Sequence, residues 1–184
     1  MDEMRYGLMS NVRRSWSKIG VRTIIENQQE FSSSYCYSAI DPIDGDTFHL
    51  MDFKNLTSEE INLFLGALQE HYPNKHLIIV WDNAPAHKPK SLIRENMTFI
   101  YLPSYSPQLN PVERYFGEMR KITANQIFRG GMDALNLIVE QGILKLSKIN
   151  SDIKKLCGYP WIIEQWNQIL FEVKSNESID CLVN

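Results

Sequence analysis

Ile79-Val80-Trp81-Asp82-Asn83-Ala84-Pro85-Ala86-His87 and, further on, Leu102-Pro103-Ser104-Tyr105-Ser106-Pro107-Gln108-Leu109-Asn110-Pro111-Val112-Glu113 decide the fold. The first stretch ends an apolar strand on a carboxylate. The second puts another carboxylate in the first turn of a helix, because Asn at an N-cap followed by Pro at the first helical position is a strong helix start. The 30 residues between Asp82 and Glu113 leave room for one helix and one more strand. Two acids delivered this way to one end of a sheet can share divalent cations, an arrangement that suits metal-assisted phosphoryl transfer.

Around these words the chain reads as alternating elements. Leu77–Trp81 is a continuous apolar run, which suits a strand buried on both faces. Thr57-Ser58-Glu59-Glu60 is a capping box, and Ile61, Phe64, Leu65, Leu68 and Tyr72 follow at helical spacing up to Pro73. Residues 31–40 and 46–53 are aromatic and β-favouring and flank Asp41-Pro42-Ile43-Asp44-Gly45-Asp46, so they read as a hairpin. That acidic loop lacks the spacing and distal Glu of an EF-hand, which argues against a calcium site. A short helix is expected at 88–96, a strand at Met97–Leu102, and helices from Asn110, at 132–148 after Gly130-Gly131, and at 160–173 with Trp161, Ile162, Trp166, Ile169, Leu170 and Val173 inward. The opening Met1–Leu8 reads as the tail of a strand. Strand, hairpin, then strand–helix alternation predicts an α/β fold, a mixed sheet with helices on both faces and extra C-terminal helices. The ends of its central strands are expected to bring Asp2 and Asp82 together. One domain over 1–174 and a polar tail over 175–184 complete the expectation.

Composition sets the outer limits. The chain has 184 residues, 43% hydrophobic and 22% charged, which suits one ordinary domain. No apolar run approaches the ~20 residues of a membrane span, and no signal peptide opens the sequence. Cys36, Cys157 and Cys181 are odd in number and far apart, which points to a reducing, cytoplasmic setting rather than a disulfide framework. The net charge of −3 opposes non-specific nucleic-acid binding, but its distribution does not. No acid falls between Glu3 and Glu26, whereas Arg5, Arg13, Arg14, Lys18 and Arg22 do. Lys88, Lys90 and Arg94 follow Asp82, and Arg114, Arg120 and Lys121 follow Glu113. Arg5, Arg13 and Arg14 suit phosphate contacts that position DNA without reading it. Trp16, Trp81 and Tyr105 fit either the core or base stacking, with the core the simpler assignment.

Taken together, "DEMRYGL", "WDNAPAH" and "LPSYSPQLNPVERYF" resemble the catalytic domain of DDE transposases, in the mariner-like superfamily that includes many bacterial insertion-sequence enzymes. The resemblance covers roughly residues 1–125. It implies an RNase H-like fold and an endonuclease and strand transferase acting on transposon ends and target DNA, with homodimerisation or self-assembly on DNA in the nucleoid. The family's three acids fall on Asp2, Asp82 and Glu113. Asn83, His87 and the Ser106-Pro107 turn match positions around the site, and Lys88 and Arg114 are neighbouring candidates for DNA contact. Mg²⁺ or Mn²⁺ prefers oxygen ligands, and two ions about 3.5–4 Å apart can clamp the attacking and leaving oxygens of an in-line displacement. On this reading Asp2 bridges both ions while Asp82 and Glu113 hold one each. Water first frees a DNA 3′ end, and that 3′-OH then attacks target DNA.

Singly, each residue also has a plain structural use. Asp82-Asn83 suits a strand-end turn, Glu113 a capping interaction, Asp2 a solvated end and His87 a loop hydrogen bond. Full-length members also carry an N-terminal helix-turn-helix region that these residues do not include, and only Met1 precedes Asp2. The expectation is therefore a gene fragment or one of two reading frames, either active or a weak or inactive remnant that only binds DNA or a partner.

Overall fold

Alternation along the first strand is what divides the molecule into layers. In the computed structural model, which describes residues 1–84, 87 and 96–168, β1 (Asp2–Gly7), β2 (Ser33–Ile40) and β3 (Thr47–Phe53) pair antiparallel in that order. Asp2 lies opposite Ser38 and Gly7 opposite Ser33. Met4, Tyr6 and Leu8 point to one side and pack with Val112, Tyr115, Phe116, Met119, Leu135 and Val139. Met1 joins the opposite core with Tyr37, Ile61, Phe64, Leu65, Ile79 and Trp81. Helices thus cover both faces, as the sequence predicts.

The hairpin between β2 and β3 forms as expected. The Asp41 carboxylate accepts from the backbone N–H groups of Ile43 and Asp44 at 2.8 and 3.1 Å, and Gly45 takes φ 77°. A Cβ at Gly45 would lie 2.2 Å from the Asn150 carbonyl oxygen, so glycine is required there on two counts. α1 (Ser58–His71) starts at the predicted capping box, with Glu60 N–H donating to Thr57 Oγ1 and Thr57 N–H to Glu60 Oε2, both at 3.3 Å.

β4 (Leu77–Trp81) and β5 (Met97–Tyr101) are parallel, Leu77 opposite Met97 and Trp81 opposite Tyr101. The mixed sheet is accordingly two ladders rather than one continuous set of pairings. They meet where Met1 N donates to Val80 O at 2.7 Å.

A 3₁₀ turn at Pro107–Leu109 leads into α2 (Val112–Ile122). The helix starts just after the expected point, but Asn110 still caps it: Val112 N–H donates to Asn110 Oδ1 at 3.4 Å. α3 (Gly131–Leu146) matches its expected span, and α4 (Asn150–Cys157) adds a helix before Gly158, where Cys157-Gly158-Tyr159 reads as a helix-ending turn. Its eight residues make only two turns, and the helix is held by Ile153 and Cys157, buried four apart, with Leu156 packed beside them. The chain is helical again over 160–168. Trp161 there is not inward but 40% exposed, its ring stacked on Tyr159. Residues 88–95 of the helix expected at 88–96, with Lys88, Lys90 and Arg94, and the chain from 169 onward lie outside the described residues.

Residues 8–32 form an irregular excursion between β1 and β2. Its base is closed by Leu8 N–H to Ser32 O at 3.0 Å and Ser10 N–H to Gln28 O at 2.9 Å. Asn125 pins it to the end of α2, accepting from Arg13 N–H at 2.8 Å and donating to Arg13 O at 3.1 Å. Trp16 stands fully exposed on this segment, as does Tyr105 elsewhere, so of the three aromatics assigned to the core only Trp81 belongs there. Cys36 and Cys157 are free and buried. No helix among the described residues is long and apolar enough to cross a membrane.

Candidate active site

The three sequence-predicted acids come from three elements around the start of β1. Asp2 opens that strand, Asp82 directly follows β4, and Glu113 lies in the first turn of α2. Asn110 fastens two of these elements together. Only 2% exposed, its side-chain amide donates to Met1 O at 3.2 Å and to Asp2 Oδ2 at 3.1 Å, while its Oδ1 caps α2. The strand bearing Asp2 and the helix bearing Glu113 are therefore positioned by one buried side chain. Asp2 Oδ1 accepts from Glu3 N–H at 2.8 Å.

Electrostatics record the crowding. Burial, then the charge of Glu3 and more weakly that of Glu113, push the Asp2 carboxyl up to about 7. A cation or a proton relieves that repulsion. Glu113 Oε2 instead meets Arg120 Nη1 at 3.4 Å, about two turns further along the same face of α2. Asp82, half exposed, meets His87 Nδ1 through Oδ1 at 2.7 Å and accepts from Ala84 N–H at 3.1 Å. Each acid thus has a positively polarised protein group as its partner. Among the described residues no three His, Cys, Asp or Glu side chains converge closely enough to hold a metal ion. Asp2, Asp82 and Glu113 offer only carboxylate oxygens, the donor chemistry that suits a hard divalent cation.

His87 is more central than a loop histidine. It is 1% exposed, lies flat on Trp81 with ring centroids 4.3 Å apart and planes 6° apart, and its Nε2 reaches Glu3 Oε2 at 3.2 Å. Burial opposes a charged ring, but Glu3 and Asp82 outweigh it and hold the His87 pKa above its ordinary value. Asn83 and Ser106 sit at the rim: Asn83 Nδ2 contacts Ser104 Oγ at 3.5 Å, and Ser106 Oγ donates to Ser104 O at 3.3 Å. Arg114 is turned towards α4, donating to Leu156 O at 3.2 Å with its guanidinium 4.4 Å from the Tyr159 ring centroid. Arg5 is exposed and donates to Ser33 Oγ at 3.0 Å. Arg14 is exposed and Arg13 half-buried on the excursion. Lys88 is outside the described residues. The sequence reading missed Glu3 and Asn110 as parts of this site. Strand alternation was the available signal for Glu3, since it sends Glu3 to the face opposite Asp2, towards β4.

A mixed sheet flanked by helices on both faces, with acids at β1, at the end of β4 and at the start of α2, defines an RNase H-like domain. Residues 1–133 match the DDE superfamily endonuclease family, and the chain belongs to it. The fold is also that of solved Mos1 transposase structures. The Mos1 mariner paired-end complex with Mn matches at 20% identity and TM-score 0.58 over 85% of this chain and 51% of that one. The Mos1 strand transfer complex matches at 16% identity and TM-score 0.56, over 85% and 53%. An uncharacterized protein of Sinorhizobium fredii, y4pE/y4sA, is 36% identical over 73 residues, which are 34% of this chain and 54% of the relative. The chain spans about half the length of the proteins it matches.

Proposed function

We propose that this chain is the catalytic domain of a transposase, cleaving DNA at transposon ends and joining the freed ends to target DNA with divalent metal ions. The observation that carries the reading is the Asn110 junction: one buried amide holds the strand of Asp2 against the helix of Glu113, where burial, Glu3 and Glu113 raise Asp2 towards neutrality. A carboxylate kept so costly to ionise is suited to a cation. The Mos1 structures include paired-end complexes with Mn and with Mg, which supports the same class of metal here.

In this proposal Asp2, Asp82 and Glu113 hold two Mg²⁺ or Mn²⁺ ions. Bound there, such ions polarise a phosphate and make a coordinated water more acidic. Asp2 is fixed by its two hydrogen bonds, Asp82 is steered by His87, and Glu113 exchanges Arg120 for the site. Arg13 and Arg14 on the excursion supply charge for the DNA backbone. Assembly as a homodimer on DNA, in a cytoplasmic and nucleoid-associated setting, belongs to the same proposal.

The test joins binding to chemistry. Metal that binds only the folded chain raises its stability by about 2.7 kcal/mol at a hundredfold excess over Kd. Thermal melts with Mn²⁺ are expected to show this for the parent and not for Asp82→Asn or Glu113→Gln, and Mn²⁺-dependent cleavage of a DNA end is expected to vanish in the same variants. An equal Mn²⁺ shift in parent and variants refutes the acid assignment. A second reading, a remnant that keeps the fold and binds only DNA or a partner, draws on the Glu113–Arg120 pairing. Metal-dependent stabilisation without cleavage selects it.

A further inference from the structure

Glu3 presents an energetic problem that packing does not answer. Its carboxylate is 4% exposed, and Oε1 is buried with no hydrogen-bond partner among the described residues. A buried carboxylate with an unpaired oxygen is costly, and apolar replacements of buried ion pairs are often neutral or stabilising. Its carboxylate's one partner among the described residues is His87, through Oε2 and Nε2 at 3.2 Å. The other ring nitrogen of His87 faces Asp82 Oδ1 at 2.7 Å and Asp82 O at 3.3 Å. Stacking on the buried Trp81 fixes the ring plane, and Tyr101 Oη donates to His87 O at 2.9 Å, tying the residue to β5. A continuous side-chain chain therefore runs from β1 to the end of β4. It does so at the seam where the ladders share the Met1–Val80 hydrogen bond.

We propose that Glu3 and His87 are positioning residues: a buried clasp that sets Asp82 relative to Asp2 across the seam between the two ladders. The inference rests on the proposed metal-binding role of Asp82 and adds to it the reason the strand end is held. Asp82 is half exposed and follows the last residue of its strand, so a backbone ladder does not fix its carboxylate. The imidazole and the Ala84 N–H do, both on Oδ1, and Glu3 holds the imidazole. Partners behind a metal ligand commonly matter by about ten- to a hundredfold in metal affinity.

The decisive property is reach rather than charge. Glu3→Gln keeps an oxygen at the same distance from His87 Nε2, whereas Glu3→Asp keeps the charge on a stem one carbon shorter. Calorimetric Mn²⁺ titration of the full chain is expected to leave Glu3→Gln within about threefold of the parent. Glu3→Asp and His87→Phe are each expected to bind about tenfold more weakly or worse. Glu3→Asp combined with His87→Phe is expected to be no weaker than His87→Phe alone, because one clasp is lost once. Thermal melts without metal run alongside to confirm folding. The opposite order, Glu3→Asp tight and Glu3→Gln weak, overturns the clasp and makes Glu3 a direct charge contributor. So does additivity in the double variant. Unchanged Mn²⁺ binding in Asp82→Asn refutes the acid assignment instead, and the two failures are told apart by that control.

Discussion

Asp2 and His49 are half-buried titratable groups whose pKa values have moved in ways that tilt stability in opposite directions with pH. Asp2 is raised to about 7 by burial, Glu3 and Glu113, so between about pH 4 and 7 the folded chain keeps a proton that the unfolded chain has lost. Metal-free stability from this group therefore declines as pH rises through that window. Asp2→Asn removes the decline: in chelator at pH 8 it is expected to melt a few degrees above the parent, and at pH 4 to match it. Equal pH slopes for parent and variant refute the assignment. His49 sits between Ser38 Oγ at 2.8 Å and Ser147 Oγ at 3.2 Å, stacked on Tyr115, and burial lowers it to about 4. Here the unfolded chain takes up the proton first, so stability is lost as pH falls from about 6.5 to 4, by up to about 3 kcal/mol. His49→Phe is expected to flatten that acid limb while lowering stability at pH 7, where the buried Ser38 hydroxyl loses its imidazole partner. Denaturant titrations from pH 4 to 8 on the single variants separate the two slopes.

At the scale of elements, what was legible in the sequence is what local chemistry determines. The capping box at Thr57 and Glu60, the strand at β4, and the Asp41–Asp46 turn all formed where propensity and pattern agreed, although β4 is not buried on both faces as its apolar run predicts: Ile79 and Trp81 are buried and Ile78 is 48% exposed. The misses were long-range. α4 carries a stripe of only three residues, Ile153, Leu156 and Cys157, too few to define a helix by pattern, and it is stabilised by docking: Asn150 Nδ2 donates to Asp46 Oδ1 at 2.9 Å, at the hairpin tip. Gly45→Ala therefore tests a contact between elements. Its Cβ would meet the Asn150 carbonyl oxygen in a backbone conformation that alanine disfavours, so a loss of about 2 kcal/mol or more is expected in chemical denaturation. Asn110 was legible as a helix cap but not as the hinge between α2 and β1, because its bonds to Met1 and Asp2 span more than a hundred positions. Asn110→Ala removes cap and junction together and is expected to cost about 2–3 kcal/mol, more than the ~1 kcal/mol of Thr57→Ala at a cap without such a junction. Similar losses for the two variants refute the junction.

For the whole molecule, the net charge of −3 and the proposed DNA substrate are reconciled by where the charges lie. The acids Asp2 and Glu3 stand at the seam of the sheet, while Arg14, Lys18 and Arg22 are exposed on the 8–32 excursion, whose base alone is pinned by Ser10, Gln28 and Asn125. On the proposed function, such a segment is expected to neutralise phosphates without presenting a helix or strand to a groove, and so to supply affinity without base readout. Duplex binding is therefore expected to be weak, nearly indifferent to sequence and steeply dependent on salt. Each phosphate contact contributes a slope of about −0.9 in log K against log salt. Replacing Arg14, Lys18 and Arg22 with Gln is expected to reduce the slope by about 2–3 and weaken binding equally on terminal-repeat and scrambled duplexes. Because these side chains are exposed, the triple variant is expected to melt within about 1 kcal/mol of the parent, so lost binding is not lost folding. Anisotropy titrations at several salt concentrations measure both slope and preference. An unchanged slope refutes the excursion as the contact surface, and a tenfold preference for one duplex means that these residues read bases directly.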